Sequence, residues 1–66
     1  MNENIIKGNW NEVRGAIQKQ WGKLTDDDLA QIRGERKRLL GSLQKTYGYA
    51  EDEAEKQVRE WEKTRH

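Results

Sequence analysis

The sequence predicts an all-α domain of four short helices, and three observations carry that prediction. The chain of 66 residues contains no proline, and it has no β-branched run that reads as a strand. Its apolar residues recur three and four positions apart, the spacing of one helix face. Six glycines stand at positions 8, 15, 22 and again at 34, 41, 48, two triads of spacing seven set 26 residues apart.

The first helix is expected over about 9–21. Asn9 followed by Glu12 has the spacing of a capping box, and Trp10, Val13, Ile17 and Trp21 then line one face. Gly22 is expected to stop it in the left-handed conformation that a C-terminal cap uses. The second helix, about 26–33, starts from Thr25 as a hydroxyl cap, with Asp26, Asp27 and Asp28 against the positive end of the helix dipole. Leu29 and Ile32 supply its inner face. The third, about 35–47, carries Leu39, Leu40, Leu43 and Tyr47 and stops at Gly48. The fourth, about 51–63, turns Ala54, Val58 and Trp61 inward behind an acidic first turn at Glu51, Asp52 and Glu53. At Gly34 the pattern leaves two alternatives, a break or one bent rod formed by the second and third helices.

Laying the chain on itself at the 26-residue offset pairs Val13 with Leu39, Ile17 with Leu43, Trp21 with Tyr47 and Ile32 with Val58. Such self-similarity reads as a duplicated helical hairpin. The expected architecture is a single domain over 1–66, with repeat units at about 8–33 and 34–61 forming two crossed hairpins. Trp21 and Tyr47 are then expected to be buried at equivalent positions. Gly15 and Gly41 fall inside helices, where glycine costs about 0.5–1 kcal/mol relative to alanine. Each lies roughly 140° from its helix's apolar stripe at about 100° per residue, so a close crossing by the other hairpin is the expected compensation.

Composition narrows the function. Only 32% of residues are hydrophobic and 38% are charged, with a mean hydropathy of −1.32. A chain this short has little core to spare, so marginal stability is expected. There is no cysteine, and the single histidine, His66, ends the sequence; neither a disulfide nor a zinc site can staple the fold. The longest apolar runs are pairs such as Ile5-Ile6 and Leu39-Leu40, far short of a membrane span or a signal-peptide core. A cytoplasmic location follows as the expectation. A formal charge of +1 from 13 basic and 12 acidic residues gives no strong drive toward nucleic acid or anionic lipid.

The carboxylate clusters read as helix caps, because a calcium loop requires a different ligand spacing. No catalytic residue, cofactor site or metal site is expected, since general acid or base work needs a pocket that so small a core can hardly enclose. Two groups remain as candidate partner-binding residues. Arg33, Arg36, Lys37 and Arg38 form the one basic concentration, and Tyr49 with Trp61 stand near a turn and near the C-terminus. Nucleic acid is the disfavoured partner, because the turns after Gly22 and Gly48 lead into acidic residues where phosphate contacts would want glycine amides and lysine.

The strings GNW at Gly8 to Trp10, QWGKLTDDDL at Gln20 to Leu29 and YGYAEDEAEKQV at Tyr47 to Val58 resemble the CsbD-like family of small bacterial proteins over nearly the whole chain. One departure lies at Arg14, Gly15 and Ala16, where many members look lysine-rich. The resemblance implies a four-helix fold similar to the SAM-like class, a cytoplasmic location and a role in the general stress response. It transfers no site residue. The reading is a non-enzymatic, monomeric stress-response protein that acts through abundance and a hydrophilic surface. The alternative is a small binding module for nucleic acid or a protein partner.

Overall fold

The computed structural model describes Ile6 and residues 8–64; His66 lies outside the described residues. Four helices follow one another: α1 (Trp10–Gln20), α2 (Asp26–Ile32), α3 (Arg36–Tyr47) and α4 (Glu51–Thr64). No strand occurs among the described residues.

Each boundary has a local cause. Asn9 caps α1 by accepting a hydrogen bond from the Asn11 amide at 2.9 Å; the expected reciprocal bond from Glu12 is replaced by this shorter-range contact. Helix α1 ends at Trp21, whose backbone leaves the helix at φ −125°, ψ 83° while its N–H still reaches the Ile17 carbonyl. Gly22 is therefore not the left-handed stop that its residue type suggested. The turn lies one residue earlier, where the Trp21 ring enters the core, and the Leu24 amide closes it on the Trp21 carbonyl at 3.1 Å.

Thr25 makes a full capping box. Its hydroxyl accepts from the Asp28 amide, and the Asp28 carboxylate accepts from the Thr25 amide at 2.9 Å. Helix α2 then breaks from α3 at two successive left-handed residues, Arg33 at φ 49° and Gly34 at φ 84°. This resolves the alternative at Gly34 in favour of separate helices. The junction is held by the Ile6 amide, which donates to the Gly34 carbonyl at 2.7 Å. Gly48 closes α3 at φ 73° with its N–H on the Gln44 carbonyl, as its residue type implies.

Helix α3 is the hub, packed closely against α2 and against α4. Around it lies one apolar core to which every helix contributes: Val13 and Ile17 from α1, Leu29 and Ile32 from α2, Leu39 and Leu43 from α3, and Ala54, Val58 and Trp61 from α4. Ile6, Trp21 and Leu24 complete it from the connecting segments. Among the described residues no buried side chain is polar or charged. Burial of hydrocarbon, at roughly 1.5–3 kcal/mol per large side chain, is thus the principal favourable term.

Two expectations about packing are corrected. Tyr47 is half-buried, not enclosed like Trp21. Its hydroxyl accepts from the Lys23 amide at 3.2 Å, so the ring lies at the core edge with its polar end turned to the surface. Among the described residues Gly15 and Gly41 meet no crossing backbone, for a Cβ added to either finds no atom within 4 Å beyond its own helix and chain neighbours. No close approach among the described residues offsets their helix-propensity cost.

Candidate functional site

The α2–α3 junction places three of the four candidate basic residues on the first turn of α3 and the fourth, Arg33, at the end of α2. The turn between them reverses the chain, and the side chains diverge into three different environments.

Arg36 points inward across the α3–α4 interface. Its side chain retains 18% of its exposure, and it forms ion pairs with Glu55 at 2.8 Å and Glu62 at 3.2 Å. Glu55 and Glu62 are seven residues apart on α4, hence on one face. The hydrogen bond that Arg36 donates to Glu55 raises the Arg36 pKa above its ordinary value against the opposing effect of burial, with the Glu62 charge adding to the rise. The same hydrogen bond holds the Glu55 carboxyl below the ordinary glutamate value, assisted by the charges of Arg36 and Arg59. Arg59, one turn along α4, approaches the same Glu55 oxygen at 3.4 Å. This cluster ties two helices together.

Arg38 and Arg33 satisfy backbone carbonyls of α2. Arg38 donates to the Gln31 carbonyl at 3.0 Å and approaches Glu35 at 3.4 Å, while Arg33 donates to the Ala30 carbonyl at 3.1 Å. Both remain exposed to solvent. Lys37 is exposed as well.

The aromatic candidates separate in the same way. Trp61 is buried at 6% exposure and meets Trp21 edge to face, with ring centroids 5.3 Å apart. Tyr49 is half-buried and stacks on Tyr47, with centroids 5.4 Å apart and planes within 9°. The Lys23 ammonium lies 5.4 Å from the Tyr47 ring centroid. Tyr47 is thus occupied by Tyr49 and by Lys23, the latter a contact with no sequence signal because the two residues lie 24 positions apart.

A shallow groove of about 310 Å³ runs between α2 and α3, lined by Asp28, Gln31, Arg38, Gly41, Ser42 and Lys45. Asp28 is engaged in the Thr25 cap and Arg38 in the Gln31 carbonyl. Sequence reasoning did not single out Lys45, whose i, i+7 relation to Arg38 puts both on one face of α3. Among the described residues no group of three or more His, Cys, Asp or Glu is placed to hold a metal ion. No helix formed by these residues is long and apolar enough to cross a membrane.

The family model described as CsbD-like matches residues 4–56. Over 63 residues the chain is 52% identical to UPF0337 protein YjbJ of Escherichia coli O6:H1, covering 96% of this chain and 91% of that protein. It is 50% identical over 62 residues to UPF0337 protein YjbJ of Salmonella typhimurium, covering 94% and 89% respectively. UPF0337 protein pc0632 of Protochlamydia amoebophila is 44% identical over 62 residues, with 94% of each chain covered.

Proposed function

Because the chain belongs to the CsbD-like family, we propose that it is a non-enzymatic stress-response protein of the bacterial cytoplasm that acts through its abundance and its hydrophilic surface. One observation supports this reading above the others. The side chains best suited to gripping a partner are engaged within the molecule: Arg36 by Glu55 and Glu62, Arg38 by Gln31 and Glu35, and Trp61 in the core. What faces solvent is a mixed, highly charged surface, which holds water. Such a surface spaces and hydrates other macromolecules in proportion to its mass, without a stoichiometric complex.

The test is recovery of a desiccation-labile enzyme dried with increasing amounts of this protein. Protection should rise with mass concentration without saturating at simple ratios, and it should be unchanged in the charge-reversed variant Lys37→Glu. Protection that saturates near one-to-one, or that Lys37→Glu abolishes, would instead establish a specific binding module. For that second reading the exposed cations Arg33, Lys37 and Lys45 and the half-buried Tyr49 are the available contacts. Salt-dependent retardation of DNA or RNA is the direct assay for its nucleic-acid form.

A further inference from the structure

We infer that α2 and α3 can join into one continuous helix, and that the opened chain pairs with a second copy by exchanging its halves. The apolar register already runs through the break. Leu29, Ile32, Arg36, Leu39 and Leu43 follow at spacings of 3, 4, 3 and 4, so a straight helix from Asp26 to Tyr47 would carry them in one stripe. Leu29, Ile32, Leu39 and Leu43 are all fully buried in the closed form.

The junction that interrupts this register is locally costly. Arg33 adopts φ 49°, a left-handed conformation that side chains with a Cβ disfavour. Helix α3 begins without a side-chain cap at Glu35, whereas α1 and α2 are capped by Asn9 and Thr25. Its first turn holds Arg36, Lys37 and Arg38, three cations at the positive end of the helix dipole. A continuous helix removes all three penalties together. It returns Arg33 to right-handed geometry, supplies carbonyl partners for the uncapped amides and puts the cations in mid-helix.

The partner must be a second copy. A helix over the 22 residues from Asp26 to Tyr47 is about 33 Å long at 1.5 Å per residue. The longest dimension of the closed molecule is 27 Å. The two halves of one chain would therefore be held apart, each with its inner face uncovered. The half of a second chain presents the same residues in the same arrangement, so the apolar contacts between α2 and α3 away from the hinge are re-formed across the two chains. The contacts of Arg36 with Glu55 and Glu62 lie within one half and are kept. What opposes opening is the loss of the Ile6 amide on the Gly34 carbonyl and of the Arg38 guanidinium on the Gln31 carbonyl, together with the entropy of association. High concentration shifts that balance toward the exchanged dimer.

Two hinge variants test this in opposite directions. Gly34→Ala penalises the left-handed turn at φ 84° and favours helix, whereas Arg33→Gly relaxes the turn and disfavours helix. Each chain would be warmed, cooled at millimolar concentration and measured by size exclusion with light scattering, followed by amide hydrogen exchange on the dimer fraction. Because each dimer contains two hinges, the dimer dissociation constant should be on the order of 100-fold lower for Gly34→Ala than for Arg33→Gly. The amides of Arg36 and Lys37 should exchange slowly in the dimer and rapidly in the monomer. A folded Gly34→Ala that stays monomeric, or a dimer in which those two amides still exchange rapidly, overturns the inference. Should Gly34→Ala not fold, the unaltered chain and Arg33→Gly decide: less dimer in Arg33→Gly supports exchange, and equal or absent dimer in both refutes it.

Discussion

Trp21, at the end of the first helix, and Trp61, in the last, meet edge to face with centroids 5.3 Å apart and planes at 60°. They join the two ends of the fold across 40 residues of sequence. Replacing either ring by alanine should cost roughly 3–5 kcal/mol, comparable to the whole stability of a domain this small. Trp21→Ala and Trp61→Ala should each lose most of their helical circular dichroism at room temperature. Cooperative melting near that of the parent chain in either variant would contradict the burial described for that ring.

The Arg36 cluster predicts an acid limb to the stability curve. Glu55 has a lowered pKa in the folded protein, so its pairing stabilises fully above the unfolded-state value, near 4.5, and is lost as pH falls through the folded value. Arg36 has a raised pKa, so deprotonation of the guanidinium removes the pair only in strong alkali and the acid limb belongs to the carboxylate. Arg36→Met should cost about 1 kcal/mol at neutral pH, the upper range for partly exposed pairs. It should also flatten the loss of stability as pH falls below the unfolded glutamate value near 4.5. Urea titrations at several pH values measure both effects, and an unchanged acid limb would remove the cluster as its source.

Gly15 and Gly41 stand in helix interiors facing open space. Alanine at each should raise stability by about 0.5–1 kcal/mol. At about 4–8 °C per kcal/mol for a domain of this size, the melting temperature should increase by several degrees for each change. The sites lie on different helices, so the gains should add. A decrease in either single variant would mean that the position is covered in solution.

The Thr25 and Asp28 cap predicts a coupled pair. Each side chain satisfies an amide of the other, so Thr25→Ala and Asp28→Ala should each cost about 1 kcal/mol. The double variant should cost less than their sum, because the first change already removes half of the reciprocal arrangement. Full additivity in a thermal or urea cycle would show that the two bonds act independently.

The sequence by itself determined the number of helices and nearly all their limits. The apolar spacing of Val13 with Ile17 and of Leu39 with Leu43, the Thr25 start and the Gly48 stop act over four residues or fewer, so local pattern suffices to read them. The family was legible for the same reason, being carried by contiguous strings. Tertiary structure alone decided which side chains remain available at the surface. Arg36 was grouped with Lys37 by adjacency, yet it turns inward because Glu55 and Glu62 wait on a helix 19 and 26 residues away. Trp61 was a surface candidate until Trp21 was brought against it. Tyr47, which the 26-residue offset pairs with Trp21, stays at the core edge because its hydroxyl reaches the Lys23 amide. Gly15 and Gly41 face open space because no helix crosses there, a matter of how four rods pack and not of the residues within either one. Periodicity assigns a side chain to a face of its own helix. What that face meets is set by contacts between residues distant in sequence, whose partners no local pattern names.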